Sequence, residues 1–130
     1  MRNGGNVQEE IKQVSYEEAR KFIKSEKNLI LKREYKYFAL FYNNEIVSLL
    51  GLKEQGNVKV HCNYTPIEKR GNGYFTRLLL VVMDLYKDNE IVADCLQASK
   101  NIYLRNGFDL VCEKKYKSFT IYKVKKTRDK

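Results

Sequence analysis

Arg70-Gly71-Asn72-Gly73 lies between a strand-like run and a strongly apolar one. Paired glycines let a backbone approach a ligand closely, and a helix starting there points unpaired N–H groups and its positive dipole end into the loop. Such a loop suits a phosphate. The commoner phosphate loops do not fit: no Gly-x-x-x-x-Gly-Lys-Ser/Thr run is present, and Gly71-Asn72-Gly73-Tyr74-Phe75-Thr76 lacks the third glycine of a dinucleotide turn. His61, the only histidine, and Glu54 precede the loop and are the candidate proton acceptors. Tyr103, well downstream, reads on its own as a tyrosine that packs a helix on a sheet.

The elements that must position these residues follow from pattern. Residues 1–13 form a loose lead or a short first strand around 7–14. Ser15 and Glu18 form a capping box that opens a helix to about residue 27, with Ala19, Phe22 and Ile23 as its apolar face. Residues 28–33 read equally as a short helix or a loop. Residues 37–42, the pair Asn43-Asn44 and residues 45–52 predict a hairpin, since asparagine tolerates positive φ in a two-residue turn. A turn at Gln55-Gly56-Asn57 leads into a strand at 58–64. Along that strand His61 and Asn63 alternate with Val60, Cys62 and Tyr64, and the pattern leaves open which face meets a substrate.

After the glycine loop, residues 71–86 predict a helix apolar on most of its surface and so packed on the sheet. Residues 90–96 read as a strand. Ser99 caps a helix to about Arg105, which Asn106-Gly107 ends in a left-handed cap, and residues 108–113 and 118–124 close the chain as a hairpin. A helix followed by β-β-β-α-β-α-β-β predicts an α+β domain with one mixed, mostly antiparallel sheet flanked by helices. Residues 1–130 make a single domain, with 125–130 as a basic tail.

An apolar fraction of 43% excludes a wholly disordered chain. The apolar run at 78–83 is much shorter than the roughly 20 residues of a spanning helix, and the first residues lack a signal-like apolar core, which predicts a soluble cytoplasmic protein. Cys62, Cys95 and Cys112 are odd in number and lack Cys-x-x-Cys spacing; each sits in an apolar context and is expected to be a reduced core thiol. No metal is expected. The net charge is +9, part of it in the tail, and it would attract a polyanion.

Arg70, Gly73 and Phe75 occupy the marked positions of a motif that resembles motif A of the GNAT superfamily of acyl-CoA-dependent N-acyltransferases, together with Tyr64-Thr65-Pro66 before it and Leu78-Leu79 after it. Ala98-Ser99 through Tyr103 to Gly107-Phe108 resembles motif B of the same superfamily. The two motifs stand in the family's order, and the resemblance spans residues 37–124. It implies the GNAT fold, with the strand before the glycine loop splayed from the strand after its helix to make a pantetheine slot. It implies acetyl-CoA as cosubstrate, with Asn63, Tyr64 and Thr65 pairing with pantetheine and polarising the thioester. Arg70 and the backbone of Gly71, Asn72, Gly73, Tyr74, Phe75 and Thr76 would take the pyrophosphate, Ser99 would contact the cofactor, and Tyr103 would protonate the departing thiolate. Phe75 replaces the family's usual Gly or Ala, Ile67 a common proline and Leu96 a common asparagine. A ring at position 75 would narrow the pyrophosphate seat unless χ1 turned it toward the sheet.

The implied function is N-acetyl transfer from acetyl-CoA to a primary amine by direct attack, with a homodimer as one possible assembly. Two other readings stay open. One is a degenerate GNAT domain that binds acyl-CoA or a partner without catalysis. The other makes nucleic acid the acceptor or partner, through Lys114-Lys115-Tyr116-Lys117 and the tail.

Overall fold

The computed structural model describes residues 8–23 and 29–129. Among the described residues seven strands form one sheet: β1 (Glu9–Val14), β2 (Lys36–Tyr42), β3 (Glu45–Gln55), β4 (Asn57–Tyr64), β5 (Ile91–Cys95), β6 (Asp109–Lys115) and β7 (Thr120–Lys126). They lie in the order β1-β2-β3-β4-β5-β7-β6, and only the β4–β5 pair is parallel. The α-helices among the described residues are α1 (Tyr16–Ile23), α2 (Tyr74–Leu85) and α3 (Gln97–Arg105). The expected α+β architecture is therefore the observed one. A 3-10 turn, Ile67–Lys69, separates β4 from the glycine loop.

The sheet carries a core on each face. Alternation along β2 sends Phe38 and Leu40 to one side and Tyr37 and Ala39 to the other. On the first side α2 buries Phe75, Leu78, Leu79, Val82 and Met83, a helical stripe of three- and four-residue steps, against Leu50, Leu52, Val58 and Val60. Tyr103 and Phe108 complete that core. On the other side Ala19 and Ile23 of α1 meet Val14, Leu49 and Cys62. Ser15 and Glu18 form their reciprocal cap at 3.0 and 3.1 Å. Asn43 and Asn44 both take positive φ in the β2–β3 turn. After α3, Gly107 at φ 94° lets the Phe108 N–H reach the Tyr103 carbonyl at 3.1 Å, closing the helix as expected.

Several expectations are corrected. Ser99 does not cap α3; the helix begins at Gln97 with Leu96 at the cap, so Ser99 lies inside the first turn. The α2 helix begins at Tyr74, because left-handed Gly71 and Gly73 cannot continue a helix. Its outer face leaves Leu80, Val81 and Leu85 exposed, so its apolar surface exceeds what the sheet covers. Cys112 is exposed, since β6 is an edge strand with every residue exposed; Cys62 and Cys95 are buried as expected. The first strand forms at Glu9–Val14, and the expected extension to residue 7 lies outside the described residues, as do residues 24–27 of the first helix. Residues 29–33 form no helix, and Tyr37 Oη pins them through the N–H and carbonyl of Lys32 at 2.8 and 2.7 Å. Lys125 and Lys126, read as tail, belong to β7.

Candidate active site

The parallel ladder between β4 and β5 joins only residues 58–60 to residues 91–93, although both strands continue. At that point β4 is bulged: Leu52 pairs with Val60 but Gly51 with Cys62, leaving His61 as the extra residue. A bulge bends its strand and reverses the alternation beyond it. Val60 therefore packs in the α2 core while Cys62 packs in the α1 core, and Asn63 returns to the α2 side. This corrects the sequence reading, in which Val60 and Cys62 shared a face.

Between the diverging strands lies a cleft of about 580 Å³. One wall is His61, Cys62, Asn63, Tyr64 and Thr65 of β4 and its exit; the other is Asp94, Cys95, Leu96, Ala98 and Ser99. Gly71, Gly73, Tyr74, Phe75 and Thr76 bring the α2 N-terminus to it, beside Lys69 and Arg70. Gly73 is the α2 cap at φ 75° and has no side chain to satisfy the first helical N–H groups; the first N–H bonded along the helix is that of Arg77, to Gly73 O at 3.0 Å. A Cβ on Gly73 would lie 3.0 Å from Arg77 Nη1. Arg77 itself donates to Asn72 O at 3.0 Å, ion-pairs with Glu9 and lies over the Tyr74 ring. This chain of contacts fixes the loop from below. From the strand side, Arg70 Nε donates to Thr65 O at 2.9 Å, and Thr65 Oγ1 shares a 2.8 Å hydrogen bond with Ser48, the one buried polar side chain among the described residues.

Phe75 lines the cleft but turns its ring away from the loop. Its ring is buried in the α2 core, tilted edge-on to Tyr103 with centroids 6.0 Å apart. The orientation is the sheetward one that the sequence required.

Ten of the residues predicted to bind the cofactor line the cleft: Asn63, Tyr64, Thr65, Arg70, Gly71, Gly73, Tyr74, Phe75, Thr76 and Ser99. Asn72 does not; its side chain turns away to donate to Lys69 O at 3.0 Å. Tyr103 lies behind the wall, 1% exposed, between Phe75 and Phe108, and its hydroxyl accepts a 3.2 Å hydrogen bond from Asn63 Nδ2. Burial, then the nearby Cys95, pushes its phenol up, and the Asn63 hydrogen bond acts the other way.

His61 lines the cleft and stacks on Tyr35 at 4.6 Å. Partial burial, and then Lys59, Lys32 and Lys53, lower its pKa, so the ring is neutral at pH 7. Glu54 is corrected: it sits at the far end of β3, paired with Lys36 at 2.7 Å and accepting from Tyr86, away from the cleft. Those hydrogen bonds, Lys36 first, hold its carboxyl below the usual range, which is wrong for a general base.

Lys69, Asp94 and Cys95 also line the cleft and were not anticipated. Lys69 was legible, since it adjoins Arg70 in the basic loop. Asp94 and Cys95 become cleft residues only because β5 ends where its pairing to β4 has already stopped, which local pattern does not encode.

A single sheet parted in the middle, with a glycine-capped helix aimed at the gap, is the acyl-CoA N-acyltransferase architecture. Residues 6–123 match the family described as the acetyltransferase (GNAT) domain, and the chain belongs to that family. Solved structures agree in fold. An acetyltransferase of the GNAT family from Streptococcus pneumoniae superposes with a TM-score of 0.75 at 12% identity, covering 94% of this chain and 100% of that one. The ribosomal-protein-S18-alanine N-acetyltransferase from Escherichia coli gives 0.77 at 10%, covering 92% and 93%. A candidate streptothricin acetyltransferase from Bacillus anthracis, in complex with acetyl coenzyme A, gives 0.63 at 16%, covering 78% and 67%. No curated protein matches the sequence significantly. No helix among the described residues is long and apolar enough to cross a membrane.

Proposed function

We propose that the protein transfers an acetyl group from acetyl-CoA to a primary amine by direct attack, without a covalent enzyme intermediate. The observation that carries this is the convergence of two features on one cleft: the parting of β4 from β5 after Val60 and Ala93, and the glycine-capped start of α2. The residues fit the cosubstrate. Lys69, Arg70 and the first N–H groups of α2 match a pyrophosphate in charge and hydrogen-bonding sense. Backbone groups of β4 beyond Val60, freed from the parallel ladder, are available to pantetheine and to the thioester oxygen.

Neutral His61 accepts the proton of the incoming ammonium, directly or through water, so that the amine attacks the thioester carbonyl. The C–S bond breaks, and Tyr103, whose hydroxyl lies against the cleft-lining Asn63, supplies the proton to the thiolate once the cosubstrate is seated. Calorimetric titration with acetyl-CoA and with CoA, followed by an amine-library screen for thiol release, tests the reading. Micromolar saturable binding supports it; no binding of either removes it.

The closing hairpin favours a second reading. Tyr116 and Phe119 stack at 4.8 Å with both rings about half exposed, beside Lys114, Lys115 and Lys117. Exposed rings among cations suit single-stranded nucleic acid as acceptor or partner. A gel shift that is absent even at low salt removes this reading.

A further inference from the structure

Tyr103 is 1% exposed, yet its hydroxyl donates no hydrogen bond among the described residues. What it has is a bond received from Asn63 Nδ2 at 3.2 Å. An amide NH₂ has no lone pair to offer, so the phenol proton cannot point at it. Phe75 and Phe108 hold the ring edge-on at 6.0 and 5.0 Å, leaving the hydroxyl little freedom except rotation of its proton. Asn63 lines the cleft wall whereas Tyr103 does not, so Asn63 links the buried phenol to the space where a thioester would lie. It can do so only because the bulge at His61 returns it to the Tyr103 face of β4.

We propose that Asn63 is the positioning residue for Tyr103: it directs the phenol proton toward the cleft and stabilises the phenolate left when that proton passes to the thiolate. The proposal rests on Tyr103 acting as the acid. When the C–S bond of the substrate breaks, its electron pair stays on sulfur, the phenol O–H bond breaks and an S–H bond forms. The negative charge passes to the phenolate oxygen, where the Asn63 N–H already points. The titratable groups facing Tyr103 from the adjoining strands are Cys95 and Cys62, each pushed up to about 11 by burial and so uncharged at neutral pH. Asn63 is then the polar side chain that tunes the phenol among the described residues.

The test compares Asn63→Ala, which removes the donor, Asn63→Asp, which replaces it with an acceptor, and Asn63→Gln, which keeps an amide donor on a longer stem. Each is measured for thiol release from acetyl-CoA with an amine from the screen, and for the phenolate absorbance of a site-specific difluorotyrosine at position 103. Expected for Asn63→Ala is a roughly tenfold fall in kcat that exceeds any change in KM for acetyl-CoA. Asn63→Asp falls further, Asn63→Gln recovers part of the rate, and the phenol midpoint rises most in Asp and least in Gln. If Tyr103→Phe is slow while Asn63→Ala keeps the parent rate and phenol midpoint, the proposal alone is overturned. If Tyr103→Phe itself releases thiol at the parent rate, the acid assignment falls and the proposal falls with it.

Discussion

At the scale of single residues, the site separates groups by environment more than by type. His61 and Glu54 look alike in the sequence as acid–base candidates. One is a bulged strand residue on the cleft wall, and the other is neutralised by Lys36 at the far end of β3. His61→Ala should lower kcat about 10²-fold, whereas Glu54→Gln should leave kcat near the parent value, both read by thiol release. The sign of the pH dependence follows from the direction of the His61 shift. Only the neutral ring accepts a proton, and its pKa lies below the ordinary 6.5, so the acid limb of kcat/KM should fall below pH 6.5 and disappear in His61→Ala. Tyr103→Phe should reduce kcat by at least about 10²-fold while leaving the calorimetric affinity for acetyl-CoA unchanged, because the ring packs identically and its hydroxyl lies behind the wall.

At the scale of elements, two glycines do different work. Gly73 holds φ 75° and its Cβ would meet Arg77 Nη1 at 3.0 Å. Gly73→Ala should therefore cost about 1–2 kcal/mol in denaturant unfolding and weaken CoA binding as the α2 start is displaced. Gly51 stands at the bulge that opens the cleft, and a Cβ there would lie 2.8 Å from the Tyr37 ring. Because Tyr37 is pinned by Lys32, its ring cannot retreat freely. Gly51→Ala should destabilise by about 1–3 kcal/mol, measured by the same unfolding transition. The stripe of α2 that packs the sheet was legible from its spacing. The start of the helix was not, because the left-handed glycines that end the loop are local signals a run of apolar residues overrides on paper.

At the scale of the whole molecule, binding and folding are linked. The cleft is bounded by β4, α2, β5 and α3, so a ligand seated there bridges β4 and β5 beyond the point where their ladder ends, together with the helices that flank them. Acetyl-CoA at a hundred times its Kd should add about 2.7 kcal/mol of stability and raise Tm by on the order of 10 °C, checked by calorimetric melting with and without ligand. The same titration at raised ionic strength should show weaker binding, because the proposed pyrophosphate contacts come from Lys69 and Arg70 on an accessible loop.

The sequence by itself determined the element order and the apolar stripe of α2, because each depends on periodicity or on turn residues that act over a few positions, and its two motifs carried the resemblance to the family. It could also state the condition under which Phe75 is tolerated. Only the tertiary structure decided which residues meet. The one-residue register slip at His61 reverses the faces of β4, the parting of β4 and β5 brings Asp94 and Cys95 into the wall, and the burial of Tyr103 makes Asn63 its contact with the cleft. The physical reason is that strand register and divergence are settled by packing between elements distant in the chain, and one slipped residue exchanges every side chain beyond it from one face to the other.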